Sequence, residues 1–256
     1  MIWENASVKI RTSVLLQNIN LELKKGDVLG IIGLNGSGKT VLAKAIAGKL
    51  AVSGNLVDDV IFYKKRFVPF HSSLSLANGG AIYRQQRWNK IDTGLLTKVK
   101  DELQKCEDLA EAENLAIQFG LDELIESFVI NLSNGEQRKF ELLKALSAKP
   151  DLLVLDNAFT GLDGFARNLL TQMLETLISI GQTIVMTGLE LKDFPPSVKR
   201  FLVLNKGFVE KECSREELTA IGLHSLAFKM NTLRWTNSTF NELIYLNNVS
   251  LQYGER

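Results

Sequence analysis

Eight consecutive residues constrain this chain more than any others: Gly33-Leu34-Asn35-Gly36-Ser37-Gly38-Lys39-Thr40. They match the pattern G-x-x-x-x-G-K-[ST]. The apolar run Val28–Ile32 leads into them, and residues 41–50 after them repeat apolar side chains at helical spacing. Strand, glycine turn and helix in that order are the context a phosphate-binding loop requires. Glycines let the backbone curl until successive N–H groups point inward at phosphate oxygens. The helix behind the loop offers the positive end of its dipole to the same anion. Lys39 is expected to reach the β- and γ-phosphates of a nucleotide, and Thr40 to give its hydroxyl to Mg²⁺. A glycine turn that merely happens to contain Lys-Thr would not need both flanking elements.

The rest of the chain alternates strand-like and helix-like segments. At 256 residues, 45% hydrophobic and 23% charged, it has an ordinary globular composition and ample apolar material for a core. Residues 14–23 alternate apolar and polar, as a half-buried strand does. Residues 56–68 read as one or two strands. Residues 95–130 read as helices, with Gly120 as a stop, and 134–148 as a further helix ended by Pro150. Leu152–Leu155 is a buried strand, 164–180 a helix, and 182–187 and 200–204 are further strands. The expected fold is α/β: a phosphate-loop NTPase core with a mostly parallel sheet flanked by helices. An N-terminal antiparallel β part and an all-helical insertion at about 90–148 complete it.

Several function classes are disfavoured at once. A net charge of +1 leaves no electrostatic footprint for nucleic acid, and no direct nucleic-acid partner is expected. No run reaches the roughly 18–20 apolar residues of a membrane helix, and the first residues do not read as a secretory leader. The expected location is cytoplasmic, or peripheral at the inner face of a membrane whose spanning part another chain supplies. Cys106 and Cys213 read as unpaired thiols, and His71 and His224 as incidental.

Two further motifs follow the loop in chain order. Leu152-Leu153-Val154-Leu155-Asp156 is a buried strand ending in a carboxylate, where ligands sit in open α/β sheets. Asp156 there would hold Mg²⁺, directly or through water. Leu132-Ser133-Asn134-Gly135-Glu136-Gln137 opens a helix. Its bland reading is simple capping; its functional reading is a second anion site at a helix N-terminus.

The phosphate loop, LSNGEQ, LLVLD and Gly161-Leu162-Asp163, in that order, resemble an ATP-binding cassette (ABC) ATPase over essentially residues 1–210. LSNGEQ is the most specific part, because other phosphate-loop NTPases lack it. The resemblance implies ATP and Mg²⁺ as cofactors. It also implies a second cassette as partner, facing the first head to tail. Ser133 and Gly135 would then contact the γ-phosphate bound on the partner, and Asp163 would sit at the seam. A glutamine touching Mg²⁺ and the attacking water is expected within Tyr83-Arg84-Gln85-Gln86-Arg87-Trp88-Asn89; Gln86 is favoured, with Gln85 beside it. This run and LSNGEQRK are similar to tandem cassettes of the molybdenum-transport and photorepair type. Residues 244–256 resemble residues 1–10, which suggests a cassette over 1–243 followed by the start of a second.

Three positions depart from the family. Asn157 stands where it places the glutamate that activates water, and an amide cannot take a proton. Gly188 stands at the place of a histidine near the γ-phosphate. Ile10 stands where an aromatic stacks on adenine, a difference of about 0.5–1.5 kcal/mol. Weak hydrolysis at the chain's own site is the expectation, unless Glu190 or a neighbour supplies the base. The leading reading is the ATP-holding half of a tandem cassette protein. Competing readings are a fully active motor subunit of a membrane transporter, docked through the insertion, and a soluble tandem cassette acting on ribosome or DNA.

Overall fold

The computed structural model describes residues 1–57, 62–69 and 97–221. Gln85, Gln86 and the 244–256 repeat lie outside these residues.

The N-terminal part is an antiparallel sheet in the order β2-β1-β4, made of β1 (Ile2–Ile10), β2 (Ser13–Glu22) and β4 (Val52–Val57). The second sheet runs β5-β6-β7-β3-β8-β9. Its members are β3 (Val28–Ile32), β5 (Lys65–Val68), β6 (Leu152–Leu155), β7 (Thr183–Gly188), β8 (Arg200–Asn205) and β9 (Phe208–Ser214). All neighbours in it pair parallel except β8 and β9.

The central parallel strands β3, β6 and β7 read as largely apolar runs because both faces are buried. Alternate residues feed different cores. Leu29, Ile31, Leu152, Val154, Val185 and Leu202 pack with Leu42, Ala43 and Ile46 of α1 (Lys39–Ile46), and with Trp3, Val8, Leu16 and Ile19 of the antiparallel sheet. Leu153, Leu155, Ile184, Met186 and Phe201 face the other way. There they meet residues of α3 (Leu109–Gln118), α4 (Asn134–Ser147) and α5 (Gly164–Ser179). The phosphate-loop helix is thus clamped between two sheets, and its N-terminus is fixed relative to the ends of β3 and β6.

Residues 97–148 carry helices joined by short turns, with one isolated bridge, Lys98↔Phe128. They comprise α2 (Val99–Leu103), α3, two 3₁₀ turns and α4. Several expected bounds shift. The helix of 41–50 stops at Ile46, because Gly48 turns left-handed at φ 72. The helices of 134–148 and 164–180 each end one residue early. The strand β9 and the helix α6 (Arg215–Ile221) were not anticipated.

Candidate functional site

β3 ends at Ile32, and the chain enters the glycine loop at the carboxyl edge of the parallel sheet. Gly36 and Gly38 take φ 80 and φ 106, conformations that side-chain-bearing residues rarely adopt. Gly38 is also the N-cap of α1. A Cβ on Gly33 would lie 2.7 Å from the Ser37 hydroxyl, and one on Gly38 would lie 2.8 Å from Leu16 of β2. The loop is therefore shaped by its glycines and braced by the antiparallel sheet. The β8–β9 turn braces it too: the Gly207 N–H donates to the Ser37 carbonyl at 2.9 Å, and the Gln17 N–H donates to the Gly207 carbonyl at 3.0 Å.

Lys39 is buried and folds back into the loop, donating to the carbonyls of Gly33 at 2.7 Å and Leu34 at 2.9 Å. Burial pulls its ammonium below the usual lysine range, and the Asp156 carboxylate offsets part of that. Leu34, Asn35 and Gly36 are exposed at the loop's crest. The Thr40 hydroxyl donates to Asp156 Oδ1 at 3.1 Å, so the two residues expected to share Mg²⁺ already meet.

Asp156 is itself buried and stands one residue beyond β6. Thr187 Oγ1, in β7, donates to Asp156 Oδ1 at 2.7 Å and accepts the Asn157 N–H at 2.9 Å. Asn157 sits at φ 47, in the left-handed region that asparagine tolerates better than most residues. Among the described residues, two buried side-chain atoms have no hydrogen-bond partner: Ser37 Oγ and Asn157 Oδ1. Orphaned polar atoms call for an explanation. Ser37 Oγ belongs to the phosphate loop and could donate to a phosphate oxygen; Asn157 Oδ1, beside Asp156, can only accept, from a water or another donor. With the glycine cradle and the Thr40–Asp156 pair, this donor set fits a nucleoside triphosphate with its divalent cation.

Gly188 ends β7 and is buried. A Cβ there would lie 2.8 Å from the Phe194 ring and 2.9 Å from Asp193 Cβ. Ile10 lies at the tip of the β1–β2 hairpin, paired with Ser13 and exposed.

Ser133 caps α4 in a reciprocal capping box: its hydroxyl accepts the Glu136 N–H at 3.2 Å, and Glu136 accepts the Ser133 N–H at 2.7 Å. Asp163 caps α5, accepting the Ala166 N–H at 2.8 Å. A Cβ on Gly135 would lie 2.8 Å from Ala166 Cβ, so the two helix starts touch. Beside them Phe165 is 80% exposed. No hydrogen bond among the described residues joins Ser133, Gly135 or Asp163 to the phosphate loop. The site residues therefore fall into two groups, with Gln86 outside the described residues.

Sequence reasoning missed Thr187 and Arg167. Thr187 had a legible signal: a hydroxyl near the carboxyl end of the strand beside Asp156. Among the described residues no helix is long and apolar enough to cross a membrane. Nor does any group of three or more His, Cys, Asp or Glu residues there form a metal cluster.

Residues 16–160 match the family model described as ABC transporter. The chain is 31% identical over 218 residues to the xylose import ATP-binding protein XylG of Moorella thermoacetica, covering 80% of this chain and 43% of that protein. It is also 31% identical over 212 residues to the ABC transporter ATP-binding protein ModF of Escherichia coli, covering 79% of this chain and 42% of that one. The chain thus spans less than half the length of these curated relatives. A solved structure described as the ATP binding subunit of an ABC transporter superposes with a TM-score of 0.62 at 21% identity, covering 87% of this chain and 93% of the other. At that identity the likeness concerns the fold. The family match runs from β2 through the phosphate loop to the turn beyond Asp156, and the chain belongs to the ABC transporter ATP-binding family.

Proposed function

We propose that this chain is a cassette that binds ATP with Mg²⁺, pairs head to tail with a second cassette, and holds the nucleotide more than it turns it over. Lys39, Ser37 and the loop N–H groups would hold the phosphates, and Thr40 and Asp156 the cation. When bound, Mg²⁺ would neutralise phosphate charge. The chain's own residues position and desolvate: the loop is braced by Gly207 and Leu16, and Asp156 is oriented by Thr40 and Thr187.

The observation that carries the weak-turnover reading is the pair Asn157 and Gly188. At Asn157 the position that would accept a proton is an amide, with a buried Oδ1 that can only accept hydrogen bonds. Loss of a positioned base typically costs about 10²–10⁴ in rate. Across from it, Phe194 and Asp193 fill the space a side chain at 188 would need. Ser133 and Gly135, which make no hydrogen bond to the phosphate loop among the described residues, support a role toward a partner's nucleotide. The relatives' names, import and transporter ATP-binding proteins, support a role in transport.

Fluorescent ATP-analogue titration with Mg²⁺, on wild type and Lys39→Ala, tests the binding claim. Saturable binding by wild type, weakened at least tenfold in Lys39→Ala, is expected on the scale of a lost charge-assisted bond. Equal affinity in both would remove the phosphate loop from the account.

A further inference from the structure

Arg167 lies one turn into α5, four residues after the Asp163 cap. Its guanidinium stacks 5.3 Å over the Phe159 ring. It makes three hydrogen bonds to two separate loops. One arm donates to the Phe159 carbonyl at 3.0 Å, in the turn that follows Asn157. The other donates to the Lys192 carbonyl at 3.1 Å and to Asp193 Oδ1 at 3.1 Å, in the turn that follows Gly188.

Asp193 carries the link onward. Its Oδ2 accepts the N–H groups of Leu189 and Glu190, both at 3.0 Å, which are the first two amides beyond Gly188. Phe194 then packs over Gly188 and meets Phe201 edge-on, ring centroids 5.1 Å apart. On the other branch, the Thr160 N–H donates to the Asn157 carbonyl at 3.1 Å, closing the turn that Arg167 grips at Phe159. The Asn157 N–H donates to Thr187 of β7. A planar fork with fixed donor directions can bridge two loops in this way, and a single ammonium cannot reproduce it.

We infer that Arg167 is a positioning residue that makes the Asn157 turn, the Gly188 loop and the Asp163 helix start move as one body. Arg167 acts through Phe159, Lys192 and Asp193. It ties the two loops beside the Thr40–Asp156 pair to the end of α5 where Asp163 and exposed Phe165 lie. Displacement of that helix start by a docking partner then shifts Asn157 and Gly188 together. This coupling rests on the ATP-binding reading above; the brace does not.

The test uses the full chain as wild type, Arg167→Lys, Asp193→Asn and the double variant. Amide hydrogen exchange is followed by mass spectrometry on segments 157–163 and 189–194, and Mg²⁺–ATP-analogue affinity is measured in parallel. Arg167→Lys is expected to speed exchange about tenfold or more in both segments at once, the scale of charge-assisted hydrogen bonds. Exchange in the β3 and β6 segments stays at wild-type rates, and nucleotide affinity falls by about the same factor. The double variant is expected to exchange less fast than the two single effects combined would give, since the Arg167–Asp193 contact is shared between them. Faster exchange in only one segment, in neither, or across the whole chain overturns the brace. Loosened segments with unchanged nucleotide affinity overturn the coupling. Failure of wild type to bind nucleotide sinks the ATP-binding reading, while the exchange rates still decide the brace.

Discussion

Thr187 donates its hydroxyl to Asp156 at 2.7 Å and, through the same oxygen, accepts the backbone N–H of Asn157. One side chain of β7 thus sets both the orientation of the buried carboxylate and the path of the chain beyond it. Thr187→Val keeps the shape and removes both bonds. It strands a part-buried N–H and weakens the hold on a buried carboxylate, at a cost of about 1–3 kcal/mol. Chemical denaturation should show that loss, and Thr187→Ser should recover most of it.

Gly188→His is expected to destabilise the chain without restoring turnover. Phe194 and Asp193 occupy the space its Cβ would enter, and overpacking typically costs about 1–3 kcal/mol. Thermal unfolding and a steady-state phosphate-release assay on the same sample check both halves. A stable variant with raised turnover would show that Phe194 yields easily.

Capping and ligand binding at Ser133 can be separated. Ser133→Asp keeps a good N-cap, whereas Ser133→Ala loses about 0.5–2 kcal/mol. Under the partner-facing reading, the aspartate variant folds like wild type. Its carboxylate then repels the partner's phosphate, so ATP-dependent self-association measured by light scattering should be lost. Association at wild-type strength would leave Ser133 with capping alone.

Much of this site was legible in the residues themselves. The loop at Gly33–Thr40 and the carboxylate at Asp156 follow from local pattern, because a strand–glycine–helix unit and a strand-end acid need only their neighbours. The strand β9 escaped notice: its alternation is diluted by Glu210, Lys211 and Glu212 at a sheet edge. Its turn, Lys206-Gly207 at φ 45 and φ 87, is nonetheless a recognisable hairpin signal. The crowding at Gly188 and the grip of Arg167 were not legible. Both arise where the sheet order brings the ends of β6 and β7 side by side, which no window of sequence reveals.

Glu126 supplies a pH-dependent handle on the helical part. Hydrogen bonds from Lys100 and then Lys98 hold its carboxyl at about 2, against an ordinary value of 4.5. A depressed carboxylate contributes stability that is fully present above about 4.5 and is lost as pH falls toward 2. NMR titration should find this low value, rising toward the ordinary one in high salt because the group is exposed. In Glu126→Gln the corresponding acid-side loss of stability should shrink.

Steady-state ATP hydrolysis with Mg²⁺, compared between wild type and Asn157→Glu after ATP binding has been measured on each preparation, separates a site that holds nucleotide from one that turns it over. Binding by both proteins is expected, with wild-type turnover near background and a gain in the variant toward the ~10²–10⁴-fold scale of a restored general base. Robust turnover by wild type would contradict it, and would mean that another residue activates water at this site.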